Sequence, residues 1–99
     1  MRPSKGDTVA VNYEGRLEDG TVFDSSFKRG MPLMFPVGLG RVISGWDIGV
    51  MSMELGEKAE LTIKSDYGYG DKGRGKHIPG GATMTFYVEL LEIEGIRAD

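Results

Sequence analysis

Only one stretch of this 99-residue chain has a pattern that fits a helix: residues 44–53, SGWDIGVMSM. Elsewhere the periodic segments alternate, so the chain is constrained to a sheet with one short helix packed on it. Ser44 fits an N-cap, with Asp47 three residues on as its capping-box partner. Ile43, Trp46, Val50 and Met53 fall on one face at helical spacing, and Leu55-Gly56 ends the segment. Gly45 and Gly49 lie four apart on this helix, and each glycine weakens a helix by roughly 1 kcal/mol relative to alanine. Two of them in so short an element predict close backbone approach to a sheet.

The strands follow from alternation. In TVAVNYE at 8–14, Val9, Val11 and Tyr13 share one face. LEDGT at 17–21 is a hairpin signal, since Gly20 can adopt the positive φ that the turn needs. TVFDSS then reads as a short returning strand that ends in the turn formers Asp24, Ser25 and Ser26. FKRGMP at 27–32 reads as a surface loop, and LMFPVG at 33–38 as a weaker strand that Pro36 confines to an edge or bulge. KAELTIK at 58–64 directs Ala59, Leu61 and Ile63 inward. The strongest strand is MTFYVELLEIE, with Met84, Phe86, Val88 and Leu90 on one face. The parity switch to Leu91 and Ile93 predicts a bulge or burial on both sides. Residues 65–83 form a long glycine-rich loop, and loops of that length in compact domains are usually functional or disordered. The expected class is α+β, in one domain with one hydrophobic core.

Several chemistries have no support. The chain has no cysteine, which removes disulfide and thiolate chemistry, and its one histidine, His77, allows no imidazole cluster. A net charge of −3 and a pI of about 5.1 give no basic footprint for nucleic acid. No apolar run approaches a membrane span, and the opening MRPSKGD has no signal-peptide core, so a cytoplasmic location is expected. GYGDKG at 68–73 matches a dinucleotide-binding glycine pattern, and GDKGRGKH at 70–77 resembles a phosphate-binding loop. Both need a helix directly afterwards, and IPGGAT followed by a strand stands there instead. Lys72, Arg74 and Lys76 then read as solvated charges, and His77 as a surface histidine without a nucleophile motif. Asp24 is either a general base or a turn cap. Tyr13, Phe23, Phe35, Trp46, Tyr69 and Phe86 come from separate elements. They are core, or some of them line an apolar pocket.

The stretches VNYEGRLEDGTVFDSS, VISGWDIGVMSMELGEKAELTI, DYGYG and IPGGATMTFYVELLEIE resemble the FKBP-type peptidyl-prolyl isomerases, in that family's order and spacing, over residues 3–95. The resemblance implies a twisted antiparallel β-sheet wrapped around one short α-helix, with a pocket between them. It implies catalytic roles for Tyr13, Phe23, Asp24, Trp46, Tyr69 and Phe86, with Trp46 as the pocket floor. Phe35, Val42, Ile43 and Ile78 are implied to contact substrate or macrolide, with Leu33, Arg41 and His77 at the rim. The Ile43 N–H and the Tyr69 hydroxyl are implied donors to bound carbonyls. The implied activity is cis–trans isomerisation of Xaa–Pro bonds in peptides and unfolded proteins, as an enzyme and folding chaperone. No cofactor, metal, nucleic acid or membrane is implied, and the chain is expected to act as a monomer. Tacrolimus and rapamycin occupy this pocket in the family.

The sequence departs from the commonest family pattern in places. Leu33 stands where many members have a second rim phenylalanine, and Arg41 where an acidic residue or glutamine is frequent. DKGRGKH is more basic and lacks proline, and IPGG replaces IPP. These departures bear on substrate preference and macrolide affinity. Many members also carry a further strand ahead of this point, and its lack is expected to expose a sheet edge or lower stability. Two other readings carry different expectations: a catalytically weak module that holds proline-containing partners, and a purely structural domain.

Overall fold

Alternation of buried and exposed side chains builds most of the sheet. A computed structural model describes all 99 residues. Strand β1 (Thr8–Leu17) buries Val9, Val11 and Tyr13, as the alternation predicts, and Ala10 besides. At Gly20, φ is +89°, and Leu17 and Thr21 close the hairpin to β2 (Val22–Ser25) through an N–H···O bond of 2.9 Å. The next residues are not a loop. Ser26–Arg29 form a one-turn helix, α1. Ser25 caps it by accepting from the Lys28 N–H, and Gly30 ends it at φ +76°. The Ser26 hydroxyl also accepts from the Tyr13 N–H at 2.8 Å, which ties α1 to β1. These bonds are partly tertiary, which is why a four-residue helix leaves no periodic trace in the sequence.

Strand β3 (Leu33–Pro36) pairs only with the first half of β1, so Pro36 sits on an edge, as expected. Helix α2 (Ser44–Met51) crosses the sheet with Trp46 and Val50 buried, and Met53 is buried just past its end. The capping box is absent. Ser44 is already helical, Ile43 holds the cap position without a side-chain bond, and Asp47 bonds elsewhere. Its Oδ1 accepts from the Gly38 N–H at 2.8 Å and its Oδ2 from the Gly40 N–H at 3.0 Å. The loop before the helix turns through Gly38 and Gly40, both at positive φ. It presents two N–H groups that a buried carboxylate satisfies better than one cap bond would.

Strand β4 (Lys58–Ile63) and strand β5 (Met84–Ile93) complete the main path, β2-β1-β5-β4, with every pairing antiparallel. A short β6 (Ile96–Arg97) returns along β5. The parity switch after Leu90 is a register shift, since Val11 faces Leu90 and Ala10 faces Glu92. β4 pairs only with β5, so its outer edge is open. An added Cβ on Gly45 would come within 2.7 Å of Ile63, and one on Gly49 within 2.8 Å of Leu61. The two helical glycines therefore do set the distance between α2 and β4. No helix is long and apolar enough to cross a membrane.

Candidate active site

The aromatics converge where α2 crosses the sheet. Trp46, only 4% exposed, meets Tyr13 edge-on at 4.8 Å between ring centroids and Phe86 at 5.2 Å. Phe23 meets Phe86 edge-on at 5.6 Å. Edge-to-face pairs of this kind add about 0.5–1.5 kcal/mol each beyond area burial, so the rings brace one another as well as burying apolar surface. Gly15 on β1 makes room for it. A Cβ there would sit 2.7 Å from both Phe23 and Phe86.

A cavity of about 480 Å³ opens over Trp46, lined by Tyr13, Phe23, Asp24, Leu33, Arg41, Val42, Ile43, Trp46, Tyr69, Arg74 and Phe86. Three of the thirteen residues assigned to the site in the sequence lie outside this wall. Phe35 is buried behind Trp46, with centroids 5.8 Å apart. Ile78 is buried in the core as the anchor of the long loop. His77, its neighbour, is exposed. The alternation and order of motifs locate these residues near the site, but not which way each side chain points.

One wall is polar and fully engaged. The Tyr13 hydroxyl donates to Asp24 Oδ2 at 2.6 Å, and Arg29 Nη1 donates to Oδ1 at 2.6 Å. Arg29 Nη2 donates to the Tyr13 oxygen at 3.0 Å, with the guanidinium 5.4 Å from the Tyr13 ring centroid. Both carboxylate oxygens of Asp24 are thus held by donors. That makes it a fixed acceptor rather than a free general base, and Ser25, not Asp24, caps the turn. Burial, then the bond to Asp24, pushes the Tyr13 phenol above its ordinary value, against a smaller opposite pull from Arg29. The sequence reading missed Arg29 because it placed this segment in a loop. The only signal was a basic residue five positions after Asp24, which one turn of helix folds back over it.

The opposite wall offers free donors. The Ile43 carbonyl accepts from the Trp46 and Asp47 N–H groups at 3.0 and 3.2 Å, while the Ile43 N–H finds no acceptor in the chain. The Tyr69 hydroxyl makes no intramolecular hydrogen bond either, and the Arg74 guanidinium lies 5.4 Å from the Tyr69 ring centroid. Arg74, read from the sequence as a solvated charge, lines the cavity. Beneath it all, the indole N–H of Trp46 is buried without a partner among the rings of Tyr13, Phe35 and Phe86.

Comparison with known proteins agrees with this architecture. The model of the FKBP-type peptidyl-prolyl cis-trans isomerases matches residues 1–91. The chain is 57% identical to "FK506-binding protein 2" of Emericella nidulans, over 99% of this chain and 73% of that protein. It is 56% identical to "FK506-binding protein 1A" of Aspergillus fumigatus, over 97% of this chain and 86% of that protein. Against "Peptidyl-prolyl cis-trans isomerase FKBP2" of Mus musculus the identity is 51%, over 95% of this chain and 67% of that protein. With an aromatic cavity between a twisted antiparallel sheet and one short helix across it, and with this degree of likeness, the chain belongs to the FKBP-type peptidyl-prolyl cis-trans isomerase family.

Proposed function

We propose that the cavity over Trp46 seats the proline ring of an Xaa–Pro segment and lowers the barrier to rotation by desolvating the prolyl amide. The observation that carries this is an aromatic cavity whose wall holds two uncommitted donors, the Ile43 N–H and the Tyr69 hydroxyl. Rotation about a peptide bond must break amide resonance, at about 18–20 kcal/mol. No covalent bond has to form, so no nucleophile is needed. The planar amide is more dipolar than the twisted one, and leaving water costs it more. Transfer into an apolar cage therefore raises the ground state relative to the transition state. The two donors hold the flanking carbonyls while the bond turns, and any preference they show for the twisted geometry adds directly to rate. Asp24, fixed by Tyr13 and Arg29, supplies a negative edge beside the bond without exchanging a proton.

The test is NMR exchange on a short Leu-Pro peptide. Phe86→Leu keeps an apolar side chain but breaks the cage, and is expected to cut turnover about tenfold, equivalent to 1.36 kcal/mol. Asp24→Ala is expected to cost less. Loss of all turnover in a folded Asp24→Ala protein would overturn the desolvation account. The relatives' names support a further reading, that FK506 competes for this cavity, with Leu33 and Arg41 at the rim setting its affinity. A module that only holds proline-containing partners would bind the peptide without speeding exchange, so the same spectra separate the two.

A further inference from the structure

The chain has six arginines. Four are in ion pairs: Arg2 with Glu54, Arg16 with Glu14, Arg29 with Asp24 and Arg97 with Glu92. The two without an acidic partner, Arg41 and Arg74, both line the cavity. Acidic side chains outnumber basic ones in this protein, 15 to 12, so carboxylates are not scarce. The one carboxylate in the cavity wall, Asp24, already has both oxygens engaged by Tyr13 and Arg29. An acidic protein thus carries a locally cationic cavity mouth, and low-dielectric walls concentrate such a field.

Arg74 is also held in place. Its N–H donates to the Ile78 carbonyl at 2.8 Å, and the Ile78 N–H donates back at 3.2 Å. Buried Ile78 roots this pair in the core. The loop can close this tightly because two positions lack a side chain. A Cβ on Gly73 would come 2.1 Å from the Ile78 carbonyl oxygen, and one on Gly80 1.9 Å from that of Asp71. The guanidinium then lies over the Tyr69 ring. The loop is a bracket that presents a planar, always-charged fork at the cavity mouth, a shape that matches a carboxylate.

We propose that Arg41 and Arg74 make this isomerase selective for Xaa–Pro bonds flanked by an acidic residue. The proposal rests on the cavity being the substrate site. A peptide carboxylate within two residues of the proline completes the ion pairs that the protein leaves open, while a basic flank is repelled. Because Arg41 and Arg74 are solvent-exposed, the preference is modest, about two- to fivefold, and salt compresses it.

The experiment measures kcat/KM by NMR exchange for peptides around a constant Leu-Pro bond, with Glu, Gln or Lys placed one or two residues to either side. In the wild type the Glu peptide is expected to exceed its Gln counterpart about two- to fivefold at one position or more, with Lys below Gln. In Arg41→Gln/Arg74→Gln the Glu-to-Gln ratio falls to about one, and in Arg74→Glu it inverts. A wild-type ratio of one, a preference for Lys, or a ratio that survives in the double variant overturns the proposal. Phe86→Leu with the Gln peptides separates the two levels. If turnover is undiminished there, the cavity is not the substrate site and both readings fall. If turnover drops while the wild-type ratio is one, only the cationic rim is wrong.

Discussion

Tyr13 links more of the site than any other single residue. Its ring edge packs on Trp46, its hydroxyl donates to Asp24 and accepts from Arg29, and its backbone N–H donates to Ser26. The phenol is raised above its ordinary 10.0, mainly by burial and next by the bond to Asp24. A raised phenol pKa means that the folded state favours the protonated form. The stability this contributes is complete below the unfolded value and is lost as pH rises through the folded one, at up to about 1.4 kcal/mol per pH unit between the two. Urea midpoints taken from about pH 9 to about pH 12 are therefore expected to fall more steeply for the wild type than for Tyr13→Phe. Equal slopes would show that the phenol is not coupled to folding. At neutral pH the same variant loses the hydroxyl's bonds to both Asp24 and Arg29, and since both partners are charged it is expected to lose about 1.5–3 kcal/mol. Arg29→Met releases one oxygen of Asp24 and the face of Tyr13 together. It is expected to lower turnover of the Leu-Pro peptide while circular dichroism stays native, and turnover equal to wild type would remove Arg29 from the site.

Among the elements, α2 shows how spacing sets packing. Gly45 faces Ile63, which is buried and meets an added Cβ with three of its atoms at 2.7–2.8 Å. Gly49 faces the branch tips of Leu61, a half-buried side chain with room to turn outward. Alanine improves helix propensity by roughly 1 kcal/mol at either position, while overpacking a tight contact costs about 1–3 kcal/mol. Gly45→Ala is therefore expected to destabilise by up to about 2 kcal/mol, and Gly49→Ala to be near neutral. Urea denaturation of both variants reads the difference, and equal effects would mean that Ile63 yields as easily as Leu61. That close approach was legible in the sequence because two glycines in one short helix have few other uses. The strand faces of β1, β4 and β5 and the bulge after Leu90 were legible too, since burial on one side imposes a period of two. Helix α1 was not, because a cap, a left-handed glycine and a hydroxyl bonded to another strand hold it, with no hydrophobic stripe. Asp47 was misread for a related reason. Its partners, Gly38 and Gly40, lie in a loop whose path only the tertiary structure defines. In the site, motif order located Trp46 and its neighbours. It could not show that Phe35 and Ile78 point into the core, that His77 points outward, or that Arg29 and Arg74 fold back over Tyr13 and Tyr69.

At the scale of the whole molecule, the sheet ends in open edges on both sides, and β4 carries the longest of them. Beyond β1, the four-residue strands β2 and β3 each cover part of that strand and pair with nothing further, and beyond β5 the six-residue strand β4 likewise has no further partner. An open edge presents a row of unpaired backbone groups to any second copy. Here the exposed side chains along it are Lys58, Glu60, Thr62 and Lys64, so three of the four positions carry charge. A charged edge strand opposes pairing because desolvating those side chains costs more than a short ladder returns. Beside it lie exposed Ile48 and Tyr67, which would otherwise favour association. The charges, rather than any lack of apolar surface, are therefore expected to keep this edge free of a second copy. Sedimentation is expected to show a single monomeric species for the wild type. Lys58→Val/Glu60→Val/Lys64→Val is expected to self-associate with rising concentration and to gain extended-strand signal in its infrared amide band as it does so. If the triple variant stays monomeric at every concentration, twist or shape rather than charge protects the edge. If the wild type itself associates through β4, the three charges are no barrier and the edge is an interface.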